Sequence, residues 1–303
     1  MDRNLKAHFA LLGANTIYGL NFVIAKGIMP DYLMPKAIIF IRVLITVSVF
    51  MILHFILPSQ KVDKRDLFKL AICAVFGVAI NQILFFEGLN LSTPINASII
   101  ITVIPVIILI FAHYILNEKI TTIKVLGIVL GATGALMIIL SAGTGDFRSS
   151  TMLGNLLIFI NAASWALYLV LIKPIMARYD STTVMKWVFL FGMIIIFPFT
   201  FRSFISSDFA TIPFKIWMSL SFVVFGATLL AYFLNNYSLK SVSPSVNGIY
   251  IYLQPLIAAV VAILFGKDEL TWQKTIAALL IMAGVYFVTR RSPGNRQKFP
   301  NPD

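Results

Sequence analysis

The chain contains a single cysteine, Cys73, set in an apolar run. One thiol closes no internal disulfide and builds no thiolate metal cluster, so a buried structural thiol is the reading that remains. Histidine is scarce as well: His8, His54 and His113 lie far apart. No H-E-x-x-H pair, G-x-S-x-G elbow or G-x-x-x-x-G-K-[ST] loop occurs, so the sequence points to no metal, no cofactor and no hydrolase of those kinds. Charge is the largest deficit. Only 12% of the 303 residues are charged, against about 25% in a soluble domain. The balance is made up by 59% hydrophobic residues and a mean hydropathy of +0.91. No soluble core could enclose that much apolar surface, so lipid must solvate most of the chain.

What is present is apolar and periodic on the scale of a bilayer. A spanning helix needs about 20 apolar residues. Runs of that kind fall near 8–29, 36–57, 67–89, 94–116, 121–141, 152–173, 184–202, 214–238, 244–265 and 271–289. They are apolar on every side, as from Ala37 to Leu57, which excludes the alternating pattern of a β-barrel. The fold class is therefore all-α integral membrane, with ten transmembrane helices. Short connections carry start signals such as Ser92-Thr93-Pro94 and Ser243-Pro244.

Acidic residues number 12 and basic ones 24, for a net charge of +12. Nucleic-acid binding is the reflex reading of such an excess, but in a membrane protein it first records topology. With both termini on one side, that side receives Lys61, Lys64, Arg65 and Lys69 and the tail residues Arg290, Arg291, Arg296 and Lys298. The other side keeps only Lys36, Arg148, Arg202, Lys215, Lys267 and Lys274. Both termini are expected in the cytoplasm, the membrane is expected to be a plasma membrane of the bacterial inner-membrane type, and no nucleic-acid partner is expected. Arg3 and Lys6 before the first run resemble a signal peptide, but no small-x-small site ends that run, so it reads as the first span.

The chain is repeated. A shift of 150 residues lays Pro94 on Pro244, Ile99 on Ile249, Pro105 on Pro255, Thr121 on Thr271 and Gly134 on Gly284. A shift of 147 lays Lys26-Gly27-Ile28-Met29 on Lys173-Pro174-Ile175-Met176, and Tyr18 on Trp165. The units are 8–141 and 152–289, joined by 142–151 and followed by a polar basic tail, 290–303. Five helices is an odd number, so the second unit enters the membrane from the opposite side and the fold is a 5+5 inverted-topology repeat. Such pairs supply the two arrangements that alternating access requires.

The stretches Phe86-Glu87-Gly88-Leu89-Asn90-Leu91-Ser92-Thr93-Pro94, Ile104-Pro105-Val106 and Leu116-Asn117-Glu118-Lys119-Ile120-Thr121 resemble the drug/metabolite transporter superfamily, EamA branch. The second copy, with Pro255, Gly266-Lys267-Asp268-Glu269-Leu270-Thr271 and Ala283-Gly284, is similar, as is Tyr18-Gly19-Leu20-Asn21-Phe22 in the first span. Asn117 departs from the pattern, standing where the family usually has glycine. The resemblance implies a transporter in which helices 1–4 and 6–9 surround a central cavity, with helices 5 and 10 at the periphery. It does not name a substrate.

Helical wheels give candidates for the cavity wall. Asn15, Tyr18, Asn21, Phe22 and Ala25 share an arc of about 120°. Asn161, Ser164, Trp165 and Tyr168 share another, Asn247, Tyr250 and Gln254 a third, and Asn81 with Gln82 lies near mid-membrane. Polar groups in hydrocarbon must find partners, so these stripes face either water or other helices; interhelical hydrogen bonding is the plainer alternative. Neutral amides and rings suit a small amphipathic solute, an amino acid or similar metabolite, and an exporter. Phosphates would call for cationic forks. Pro105 and Pro255 are candidate hinges, since proline removes a backbone bond. Gly127, Gly131 and Gly134 fit close helix packing.

Lys26, Arg42 and Glu87 lie within spans, and Glu87 is the only carboxylate there. Pairing of Glu87 with Arg42 or Lys26 is expected. Their candidate roles are an outer gate or proton coupling, with protons as a partner beside lipid and a small-molecule substrate. The chain is expected to be a monomer and not an enzyme. An uncoupled facilitator for the same solutes is the main alternative. Gly143-Thr144-Gly145-Asp146 with Tyr179-Asp180 has the look of an intramembrane aspartyl protease, but the topology puts its two aspartates on opposite faces.

Overall fold

The start signals and the prolines account for the architecture of the chain, which is known from a computed structural model. It describes residues 3–56, 60–141, 151–264 and 269–289. Among these, ten helices are long and apolar enough to cross a membrane, and there is no strand. They are α1 (Asn4–Lys26), α2 (Pro35–Ile56), α3 (Lys64–Leu91), α4 (Pro94–Leu116), α5 (Thr122–Leu140), α6 (Met152–Met176), α7 (Ser181–Ile205), α8 (Phe214–Ser238), α9 (Pro244–Val261) and α10 (Trp272–Thr289). Hydroxyls cap the starts of α4, α6 and α9: Thr93 accepts from the Asn96 amide, Thr151 from Gly154 and Ser243 from Val246. Asn117 ends α4 with φ at 55°, the left-handed region that glycine favours and asparagine tolerates best among the rest.

The contacts between helices map onto themselves when the two five-helix units are exchanged. α2 lies on α7, α4 on α9 and α5 on α10, while α1 crosses α8 and α9 as α6 crosses α3 and α4. The α5–α10 seam is so close that a Cβ on Gly284 would stand 2.6 Å from the Gly127 carbonyl oxygen.

Four spans are irregular, and they are two symmetry-related pairs. α3 has a π-helical stretch at Val75–Ile80 and α8 one at Phe222–Leu230. α4 breaks between Ile101 and Ile104, and α9 tightens to a 3₁₀ turn at Tyr250–Tyr252. The second pair follows from proline. The rings of Pro105 and Pro255 crowd the carbonyls four residues back, at Ile101 and Ile251, and supply no amide to bond them. The α4 backbone turns instead through i→i−3 bonds, Thr102 to Ile99 and Val103 to Ile100, both 3.1 Å. Tyr252 donates its hydroxyl to the Thr102 carbonyl at 3.1 Å, joining the two breaks across the repeat.

Candidate functional site

Beside the breaks of α4 and α9 lies a central cavity of about 570 Å3, its open mouth included. It is lined by Tyr18, Asn21 and Phe22 of α1, Arg42 of α2, and Asn81, Gln82 and Phe85 of α3. Ile101 and Ile104 of α4, Asn161 and Trp165 of α6, Tyr232 of α8, and Ile251 and Gln254 of α9 complete it. The wall is built from repeat mates. Ile101 and Ile251 are the two carbonyls displaced by proline, Ile104 and Gln254 are the residues just before the prolines, and Gln82 and Tyr232 are 150 residues apart.

Tyr232 organises the polar part. Its hydroxyl accepts from Gln82 Nε2 at 2.9 Å and lies 2.8 Å from Asn81 Oδ1 and 3.0 Å from the Gly77 carbonyl, to which its single proton can go. Neighbouring carbonyls around the π-helical stretch of α3 are met from α6: Ser164 Oγ donates to Phe76 O at 2.7 Å and Asn161 Nδ2 to Asn81 O at 2.8 Å. In hydrocarbon no water would do this, so widening the helix requires those side chains. The rings of Tyr18 and Trp165, themselves repeat mates, meet edge to face at 6.3 Å, and Trp165 and Tyr232 at 5.0 Å.

Of the residues expected on the wall, Tyr18, Asn21, Phe22, Asn81, Gln82, Asn161, Trp165 and Gln254 are there. Asn15, Tyr168, Asn247 and Tyr250 are not: they tie helices together. Asn15 Oδ1 accepts from Gln254 Nε2 at 2.8 Å, and Tyr168 donates to Asn236 Oδ1 at 2.8 Å. Asn247 Nδ2 reaches Asn235 Oδ1 and Ser238 Oγ, both at 2.9 Å, and the Tyr250 hydroxyl lies 2.7 Å from His8 Nδ1. Tyr232 and Phe85 were not anticipated; the 150-residue shift that lays Gln82 on Tyr232 was the signal available for the former.

The three intramembrane charges separate. Arg42 is on the wall, 3% exposed, with Nε donating to Thr228 Oγ1 at 2.5 Å and its guanidinium 4.4 Å from the centre of the Phe86 ring. Lys26 instead caps the end of α3, donating to the carbonyls of Leu89 and Asn90 at 2.9 and 2.8 Å. Its repeat mate Lys173 does the same for α8 through Leu239 and Val242. Glu87 is half-buried, lines no part of the cavity and makes no ion pair with either cation. The expected pairing fails because Phe86, not Glu87, faces Arg42, and adjacent helical positions point about 100° apart. Gly143-Thr144-Gly145-Asp146 lies outside the described residues, as does the basic tail; Asp180 is engaged with Lys240 at 3.4 Å.

The cavity sits near the middle of the bundle: Ile104 is the eleventh of the 23 residues of α4, Trp165 the fourteenth of the 25 of α6 and Tyr232 the nineteenth of the 25 of α8. Both ends are tied across the repeats: on the side away from the N-terminus Ser92 Oγ donates to Asn155 Oδ1 at 2.7 Å and the Thr151 amide to the Leu91 carbonyl at 3.0 Å, and on the N-terminal side the ties carry charge. Asp66 Oδ2 takes bonds from Arg178 Nη1 and the Tyr179 hydroxyl, both at 3.1 Å. Glu118 Oε1 takes them from Ser243 at 2.9 Å and Lys124 at 2.5 Å, and the Asp180 amide donates to Gln60 Oε1 at 2.8 Å.

Sequence and structure comparisons agree with this geometry. The model of the EamA-like transporter family matches residues 5–140 and again 152–290. An uncharacterized transporter, YyaM, of Bacillus subtilis is 25% identical over 93% of both chains. A protein of Streptantibioticus cattleyicolor named a "probable terminal-alkyne amino-acid exporter" is 24% identical over 78% of both. One crystal structure superposes with a TM-score of 0.72 at 17% identity, covering 96% of this chain and 99% of the other, which speaks for the fold.

Proposed function

Because this chain belongs to the EamA-like transporter family, we propose that it is a secondary transporter exporting amino acids or similar small amphipathic solutes across the plasma membrane by alternating access. The observation that carries this is the cavity itself: amides, rings and one arginine from both repeats, on helices that break beside it. A solute held there by groups from both units is released to one side or the other as the units rock, which is the use to which inverted repeats are put. Support for an amino-acid substrate comes from the mix of neutral polar and apolar wall and from the name carried by the Streptantibioticus relative. The excess of basic residues on the side of the termini supports a cytoplasmic location for both. The end tied through Asp66 and Glu118 is then the cytoplasmic one.

A second reading, facilitated diffusion of the same solutes without coupling, is favoured by one observation: among the described residues the cavity wall holds no carboxylate. Purified protein in liposomes under an imposed pH gradient separates the two. Uphill accumulation of radiolabelled L-leucine or L-phenylalanine that collapses with a protonophore is expected for coupling; equilibration alone establishes facilitation. Transport of phosphorylated sugars or nucleotides in preference to every amino acid offered overturns the substrate class.

A further inference from the structure

Arg42 presents an unbalanced charge. It is enclosed within the bundle, yet every ion pair among the described residues lies at the end tied by charge, on Asp66, Glu118 or Asp180. A buried cation without a counter-charge is costly, and interior sites keep one only where something pays its compensation. Thr228 and Phe86 compensate in part. Thr228 takes Nε at 2.5 Å while passing its own proton to the Val223 carbonyl at 2.8 Å, and Phe86 covers the guanidinium at 4.4 Å. Together they fix the plane of the group. The two terminal nitrogens have no protein acceptor among the described residues, and the residue lines the cavity. A fixed planar fork with both prongs unoccupied matches one carboxylate.

We propose that Arg42 is the receptor for the carboxylate of the transported solute, so that a single carboxylate is a required part of any substrate. This rests on the reading of the cavity as the substrate site and narrows it. Among the described residues the wall contains no second arginine and no lysine, which suits a monoanion and not a phosphate dianion. It also contains unmatched acceptors. Asn21 is 5% exposed and its Oδ1 has no partner, and the enclosed Tyr18 hydroxyl has none either. Asn81, Gln82 and Gln254 are by contrast committed to Tyr232 and Asn15. A solute with an ammonium group answers Asn21 and Tyr18 as its carboxylate answers Arg42, and Phe22, Phe85 and Ile251 leave an apolar remainder for its side chain.

The test uses the full chain in detergent and in liposomes, with four probes of one shape: L-phenylalanine, 3-phenylpropionate, 3-phenylpropanamide and phenethylamine. The two carboxylates are expected to raise the melting temperature of the wild-type protein, and the amide and amine to leave it unchanged. Arg42→Gln is expected to weaken carboxylate binding at least about tenfold, the size of one buried charge-assisted contact, with Arg42→Lys between it and wild type. Because the four-probe comparison is made on the wild-type chain, it stands even if the variants fail to fold. Equal shifts by 3-phenylpropionate and 3-phenylpropanamide, or undiminished carboxylate binding by a folded Arg42→Gln, overturn the proposal. If 3-phenylpropionate binds through Arg42 while no amino acid is transported, the carboxylate receptor holds and the amino-acid reading falls. If L-phenylalanine is transported and its amide competes equally, the reverse follows.

Discussion

At the scale of single residues, the same polarity serves two ends that a wheel cannot tell apart. Asn247 and Gln254 share a face of α9, yet only Gln254 reaches the cavity; Asn247 is spent on Asn235 and Ser238. Both satisfy the one rule available from sequence, that a polar group in lipid needs a partner, and the rule is silent on whether the partner is solute or helix. Arg42 was legible as an exceptional charge but not as part of the wall, because its placement depends on Thr228 and Phe86, two residues from other helices. Glu87 shows the converse. It lies deep in α3, but it stands off the cavity and, among the described residues, pairs with no cation. Glu87→Gln is therefore expected to keep the rate of solute uptake within about twofold and its pH profile unshifted, since a contact absent from the site leaves the transport barrier unchanged. Uptake measured between pH 5.5 and 8.5 in liposomes checks it. Loss of uphill uptake in the variant alone would show that the proton passes through Glu87.

At the scale of helices, the sequence showed ten spans and the repeat because both are linear signals: apolar length and a fixed offset. It also marked Pro105 and Pro255, but the bends sit one turn earlier, where the ring meets the carbonyl four residues back. The π-helical stretches of α3 and α8 carried no such mark. That of α3 is supported by α6 and α8 side chains that meet the carbonyls of Phe76 and Gly77, and in that of α8 Thr228 donates to the Val223 carbonyl five residues back, contacts that belong to tertiary packing and local geometry. Pro105→Ala restores an amide donor toward Ile101. We expect α4 to straighten through Thr102, pulling Ile101 and Ile104 off the wall and stranding the Tyr252 hydroxyl that bonds Thr102. The variant should fold, with turnover reduced severalfold as the flexible break is lost. A melting temperature near wild type with unchanged turnover would show that the break is a static packing feature.

At the scale of the whole molecule, the two halves are alike but the two ends are tied differently, by charged side chains around Asp66 and Glu118 at one and by Ser92–Asn155 and Thr151–Leu91 at the other. On the proposed alternating access the units adopt a second arrangement, and the charged ties around Asp66 bias which of the two is populated. Asp66 is the centre of the larger tie, 3% exposed in its side chain and bonded to Arg178, Tyr179 and Lys69. Arg178 is mostly in solvent, so each ion pair alone contributes little. Three bonds converging on one buried carboxylate are another matter, and their loss is worth about 1–3 kcal/mol, a shift of about fivefold to 150-fold in the balance of two states. The single cysteine reports on it: Cys73 of α3 is 1% exposed between the end tied through Asp66 and the cavity floor. Asp66→Asn keeps the shape of the side chain and removes its charge. It is expected to speed alkylation of Cys73 by a membrane-permeant maleimide at least about fivefold, by raising the fraction of molecules open at that end, with transported L-phenylalanine changing the rate in both proteins. An alkylation rate equal to wild type in a folded Asp66→Asn would mean that the Glu118–Ser243 contact and helix packing hold that end shut without Asp66.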